Sequence, residues 1–402
     1  MTSMSPALRQ YLIITGNYWA FTLTDGALRM LVVLYFYQQG YGALAIAMLF
    51  VFYEFFGVVT NLLGGWLGAR IGLNRTMNIG LGVQIVSLAM LLVPAAWLTV
   101  PWVMLAQALS GIAKDLNKMS AKSAVKTLVS GDAAQGRLYR YVALLTGSKN
   151  TLKGVGFFLG GALLSWLGFS GAVMLMASGL ALVWLLSLVL LQQALGKAKN
   201  KPKFRDIFSK SRGVNILSAA RLCLFASRDV WFVVALPVYL SSHLGWDNWL
   251  VGAFLASWVI AYGVVQAVAP WLTGRGKNAA GIPGRTAAVS WAGLLMLLPA
   301  LMALMLYQGG SPQLWLLGGL WLFGAVFAVN SSLHSFLIVH YASEDGVSLD
   351  VGFYYMANAA GRLLGTVLSG VLYQHYGLNA CLLFSSGLLL LTFAISWALP
   401  RQ

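Results

Sequence analysis

The chain has 402 residues, of which 59% are hydrophobic and only 9% charged, with a mean hydropathy of +0.78. That composition excludes a water-soluble domain of this length and implies a polytopic membrane protein. The formal net charge of +16 could point to nucleic acid, but the surplus lies in short stretches between apolar runs, where membrane orientation places it.

In chain order, twelve apolar runs are long enough to cross about 30 Å of hydrocarbon. They cover roughly 10–37, 43–69, 76–97, 101–127, 138–167, 170–194, 214–242, 247–273, 286–307, 313–341, 349–376 and 378–399. The first begins near Arg9 and is long and interrupted by charge, so it is expected to stay in the mature protein rather than be cleaved as a signal peptide. Arg70 and Arg75, Arg137 and Arg140, and Arg275, Lys277 and Arg285 fall in loops on one side, while the opposite loops carry no Lys or Arg. Both termini are therefore expected to be cytoplasmic. The longest connection, 196–213, has seven basic residues and one acid, Asp206, and reads as a cytoplasmic linker between residues 1–195 and 214–402. The expected fold is an all-α membrane protein of twelve transmembrane helices in two pseudo-symmetric six-helix bundles.

The informative residues are charges inside apolar sequence. Lys114, Lys118, Lys122 and Lys126 recur every fourth residue, and Lys149 and Lys153 repeat the spacing on the next run. A charge at the bilayer centre costs about 2.5–3.5 kcal/mol on insertion scales, so such residues face a cavity and mark a transport path. Lys122 and Lys126 have a second reading, as residues at the cytoplasmic membrane surface. The remaining intramembrane charges are Asp25, Arg29, Glu54, Asp115, Arg221, Arg228, Asp229 and Arg362. Without Lys122 and Lys126 the set holds eight cations against four acids, an excess of four, which suits a cargo with two strongly acidic groups. Asp25 and Arg29, Arg221 and Arg228, and Asn358 and Arg362 share helix faces by spacing. Arg29, Lys114, Lys118, Lys149, Lys153, Arg221, Arg228, Asn358 and Arg362 are the expected anion ligands. Asn330 and His334 are added as hydrogen-bonding groups, although His334 reads first as a packing histidine. Asp25, Glu54, Asp115 and Asp229 are candidates for coupling or gating, because a carboxylate displaced from its cation can take up a proton. Glu54 is the expected coupling acid, since no basic neighbour is in register on its own helix. The two cysteines, Cys223 and Cys381, read as buried thiols, and the four histidines show no metal-ligand spacing. No cofactor and no metal are expected.

The two halves also resemble each other. Asp25 and Leu31 to Tyr35 match Asp229 and Ala235 to Tyr239 at an offset of 204, and Gly161 to Gly168 match Gly370 to Gly377 at 209. The latter register places Lys149 opposite Asn358 and Lys153 opposite Arg362. This is the plan of the major facilitator superfamily. Gly65-Trp-Leu-Gly-Ala-Arg-Ile-Gly72 resembles that superfamily's helix 2–3 motif, with Ala69 where an Asp is usual. Gly156-Phe-Phe-Leu-Gly160-Gly161 resembles its exporter motif, with Phe157 replacing a proline. The paired arginines Arg29 and Arg228 are similar to those of its organophosphate transporters.

Tyr53-Glu-Phe-Phe-Gly57, Thr60-Asn-Leu-Leu-Gly-Gly-Trp66, Ser110-Gly-Ile-Ala-Lys-Asp-Leu116, Leu145-Thr-Gly-Ser-Lys-Asn150, Pro202-Lys-Phe-Arg-Asp206 and Arg228-Asp-Val-Trp-Phe232 resemble the organoarsenical-efflux branch called ArsJ. The resemblance covers nearly the whole chain. It implies export of 1-arseno-3-phosphoglycerate, in functional pairing with glyceraldehyde-3-phosphate dehydrogenase, and hence arsenate resistance; protons as the coupling ion are expected from the carboxylates above. Trivalent arsenic does not fit, because a thiolate site needs clustered cysteines. Two alternatives stand beside it: a carrier of sugar phosphates or other organic anions, and, remotely, a membrane-embedded enzyme acting on lipid.

Overall fold

A computed structural model describes residues 6–41, 49–128, 134–191, 195–199, 202–208, 210–246, 248–273 and 283–400, and every regular element among them is helical. The predicted start of the second run at 43–48, Arg275 and Lys277, and linker residues Asn200, Lys201 and Ser209 lie outside the described residues.

The helices are α1 (Pro6–Gln38), α2 (Val51–Ile71), α3 (Leu73–Met90), α4 (Val100–Leu128), α5 (Ala134–Leu190), α6 (Arg212–Phe232), α7 (Ala235–Leu244), α8 (Asn248–Leu272), α9 (Arg285–Tyr307), α10 (Gly318–Tyr341) and α11 (Val347–Ser396). Seven helical stretches among the described residues are long and apolar enough to cross a membrane. Two of these are far longer than the roughly 20 residues one crossing needs. Each is broken at one glycine with positive φ, Gly168 in α5 (φ 67°, ψ −178°) and Gly377 in α11 (φ 75°, ψ −174°). L side chains rarely adopt that conformation, so a glycine is required where each rod ends. The two breaks have nearly the same dihedrals and fall at the positions equated by the sequence repeat.

The burial pattern is that of a lipid-facing protein. Trp166, Leu182 and Val189 are largely exposed, whereas Asn61, Gln84, Asp229, Asn330 and His334 are fully buried. Polar groups turn inward because hydrocarbon offers them no partner.

The chain divides into two compact units that follow packing rather than chain order. The first comprises Met1–Ala134, Ser148–Ser209 and Ala342–Met356, and the second Gln135–Gly147, Lys210–Tyr341 and Ala357–Gln402. In the first unit, α1 and α5 touch backbone to backbone: a Cβ on Gly160 would lie 2.3 Å from the Ala27 carbonyl oxygen, and one on Gly26 would lie 2.7 Å from that of Lys153. The second unit repeats this contact between α6 and α11, where a Cβ on Gly361 would lie 2.2 Å from the Leu222 oxygen and one on Gly365 would lie 2.7 Å from the Ala226 oxygen. Small residues are what allow such approach between membrane helices. Gly156 and Gly160 of the 156–161 motif thus pack, with Gly26, the α5 segment carrying Lys149 and Lys153 against the α1 segment carrying Asp25 and Arg29. In the second unit Gly361 and Gly365 fix Arg362 beside Asp229. The apolar core of that unit is built on Trp231, Trp258, Phe323 and Phe327, with the Trp231 and Phe323 rings edge to face at 5.0 Å.

The described part of the basic linker docks on the α2–α3 corner of the first unit. The Leu73 amide donates to the Leu195 carbonyl, the Ala198 amide to the Ala69 carbonyl, and the Trp66 indole to the Pro202 carbonyl. The position where the superfamily motif carries Asp is here a buried alanine, held through its backbone.

Candidate functional site

Each unit gathers its own cluster of the predicted residues. In the first, α1 presents Asp25 and Arg29 one turn apart, facing Tyr53 and Glu54 of α2. The Tyr53 hydroxyl donates to both Asp25 oxygens, at 2.7 and 3.0 Å, and Arg29 pairs with Glu54 at 3.2 Å. The Arg29–Glu54 pair keeps about a quarter of its side-chain surface exposed, whereas Asp25 is buried. From α4, Lys114 sets its ammonium 3.7 Å from the centre of the Tyr53 ring, and Lys118 bonds Asp115 at 2.5 Å. Lys122, which has a surface reading in the sequence, is only 3% exposed and lies over the Tyr355 ring. Lys126 donates to the Ala342 carbonyl. On α5, Lys149 and Lys153 are half-buried, and Lys149 contacts Asn150 at 3.3 Å.

In the second unit, α6 carries Arg221, Arg228 and Asp229. Arg221 is buried, and it donates through Nε to Asn358 at 2.8 Å and through a terminal nitrogen to the Ser331 carbonyl at 3.2 Å. Asp229 is fully buried and shared, with Arg228 at 2.5 Å on one oxygen and Arg362 at 3.3 Å on the other. One carboxylate thus holds two guanidinium groups, and the second unit's cluster keeps a surplus of positive charge. The Asn330 amide nitrogen donates to the Trp291 and Val326 carbonyls, the first of which ties α10 to α9. His334 is fully buried, and neither ring nitrogen has a hydrogen-bond partner among the described residues.

Sequence reasoning missed three aromatic rings. Tyr53 carries Arg29 as well as Lys114, Tyr355 carries Lys118 and Lys122, and Phe225 carries Arg221 and Arg228. The signal for one was present, since Arg221, Phe225 and Arg228 are spaced four and three apart on one helix face. The other two rings meet their cations across helices. Among the described residues no group of three or more His, Cys, Asp or Glu is placed to hold a metal ion, and Cys223 and Cys381 are free thiols.

The sequence profile described as Major Facilitator Superfamily matches residues 14–307, well over half of the chain. The chain belongs to the major facilitator superfamily. Solved structures agree on the fold. The human organic anion transporter MFSD10 (TETRAN) superposes with a TM-score of 0.75 at 19% identity, covering 98% of this chain and 100% of its own. The E. coli fucose:proton symporter FucP gives 0.73 at 14%, covering 98% and 100%. A bacterial homologue of the iron transporter ferroportin, in an outward-facing state, gives 0.75 at 13%, covering 96% and 98%. None of the curated proteins matches the chain. As a superfamily member, the protein is a multi-pass integral membrane protein that performs secondary active transport of a small molecule, as proton symporters of this fold do, and it is not an enzyme.

Proposed function

We propose that this superfamily member exports an organic polyanion, 1-arseno-3-phosphoglycerate, and so confers arsenate resistance together with a cytoplasmic glyceraldehyde-3-phosphate dehydrogenase that makes the ester. The reading takes the protein as twelve crossings in two six-helix halves, 1–195 and 214–402, with both termini in the cytoplasm of a bacterium. The observation that carries it is the surplus of cations in the second unit, Arg221, Arg228 and Arg362 against the single carboxylate of Asp229. Guanidinium forks match phosphate and arsenate oxygens bidentately, whereas ammonium groups such as Lys114, Lys149 and Lys153 act as point charges. In the first cluster, the partly exposed Arg29–Glu54 pair exchanges Glu54 for a cargo oxyanion. The freed Glu54 then takes up a proton, coupling export to proton inflow. A fold relative is named an organic anion transporter, but the argument rests on the charges of this chain.

Uptake into inverted vesicles tests the reading. Vesicles are given arsenate, 3-phosphoglycerate, or arsenate and glyceraldehyde-3-phosphate with the dehydrogenase and NAD. Accumulation only in the last case, and more with an imposed proton gradient, is expected. Uptake of sugar phosphates at equal efficiency would replace the arsenate ester with the broader organic-phosphate cargo. Absence of uptake for every phosphate and arsenate ester would remove the anion reading.

A further inference from the structure

Among the described residues, three rings each carry two cations of the apolar helices. Tyr53 has the Lys114 ammonium at 3.7 Å and the Arg29 guanidinium at 4.8 Å from its ring centre. Tyr355 has Lys118 at 4.8 Å and Lys122 at 5.0 Å. Phe225 has Arg221 at 4.0 Å and Arg228 at 4.9 Å. All three rings are buried, at 2%, 3% and 7% exposure. Carboxylates reach these rings' cations as well, Glu54 at Arg29, Asp115 at Lys118 and Asp229 at Arg228.

A site for a polyanion faces a physical conflict before its cargo arrives. Like charges gathered in a low-dielectric interior repel one another and lose hydration. Pairing every cation with a carboxylate removes the repulsion, but it also removes the charge that attracts the anion. A ring face resolves the conflict, since its quadrupole attracts a cation most strongly where water is excluded, yet it carries no net charge. The electron-rich face lies against both cations and lowers the energy of holding them near each other.

We propose that Tyr53, Tyr355 and Phe225 are positioning residues for the transported anion, aromatic platforms that hold pairs of site cations in place while leaving their positive charge available. The proposal rests on the anion reading above and adds residues to it. Tyr53 is itself fixed by its hydroxyl on Asp25, which makes Asp25 the anchor of a platform.

Phe225 offers the sharpest test, because fluorine atoms added stepwise to its ring drain the negative face with little change of shape. Two measurements are made on phenylalanine and its mono-, di- and trifluoro forms placed at 225. The first is the melting temperature of the purified protein with no anion added. The second is the KM and maximal rate of vesicle uptake, with the dehydrogenase generating the arsenate ester. Melting temperature is expected to fall, and KM to rise, at each step, with maximal rate nearly level. Phe225→Leu raises KM by about tenfold, the ratio that 1.4 kcal/mol produces. Tyr53→Leu raises KM more than Tyr53→Phe, which keeps the ring.

Level melting temperatures along the fluorinated series would overturn the proposal whatever the cargo, since the ring would then only fill space. A level KM where uptake is present would overturn it as well. A falling melting series in a protein whose parent chain takes up no anion would support the platforms and count against the anion reading alone.

Discussion

The two clusters solve the same electrostatic problem in different ways. In the first unit the acids face different partners: Glu54 takes Arg29, Asp115 takes Lys118, and Asp25 accepts from the Tyr53 hydroxyl. In the second unit one acid is shared, and Asp229 sits fully buried with an arginine on each oxygen. A partly exposed pair such as Arg29–Glu54 can be exchanged by itself, while a shared buried carboxylate cannot leave without releasing two guanidinium groups onto each other. Under the proposed anion reading, exchange and coupling fall to the first cluster and a standing anion clamp to the second.

Asp229→Asn breaks the comparison most strongly. It leaves Arg228 and Arg362 buried or half-buried without their common counter-charge, and removal of one partner from a buried ion network costs about 3–5 kcal/mol. Glu54→Gln, at a pair with about a quarter of each side chain exposed, costs under about 1 kcal/mol. Melting temperatures of the two purified variants should therefore separate clearly, with Asp229→Asn far lower. Equal losses would mean that the clusters do not differ as described.

The next effect is on coupling rather than stability. Glu54→Gln keeps the size of the side chain and the hydrogen bond to Arg29 but cannot take up a proton. Vesicle uptake in this variant should proceed down the cargo gradient and no longer respond to an imposed pH gradient, while Asp115→Asn retains the response. A Glu54→Gln protein that still accelerates with the gradient moves coupling to another acid.

How far these clusters could be read from the chain depended on whether a contact lies within one helix or across two. Spacing alone put Asp25 with Arg29, Arg221 with Arg228, and Asn358 with Arg362, because 3.6 residues per turn fixes those faces. The rods broken at Gly168 and Gly377 were legible too, as a repeat at offset 209, since apolar length and glycine position both survive in the sequence. Arg29 with Glu54, Arg362 with Asp229 and Tyr53 with Asp25 were not legible as pairs. Each needs the rotation of one helix against another, which is set by backbone contacts such as those at Gly26, Gly160 and Gly361. Asn330 was placed among ligands on chemistry alone, and the bond its amide nitrogen makes to the Trp291 carbonyl could not be read from the chain. Nothing in the periodicity of α10 distinguishes an amide aimed at a ligand from one aimed at a neighbouring backbone.

Lys122 gives the smallest and most discriminating effect. Its spacing with Lys126 also fits a lysine at the cytoplasmic surface, and such a lysine would speed capture of an anion mainly at low salt, because exposed charges are screened beyond a Debye length of about 10 Å at 0.1 M. In the structure it is 3% exposed and lies over Tyr355, sharing that ring with Lys118. A buried charge is screened much less, so Lys122→Gln should lower the initial rate of uptake by a similar factor at low and at high ionic strength. Rates measured across a salt series, beside a variant of the exposed linker lysine Lys203, decide the matter. The Lys203→Gln defect should fade as salt rises and the Lys122→Gln defect should persist. If the two curves converge at high salt, Lys122 acts as a surface charge and the Tyr355 pair is no part of the anion's path.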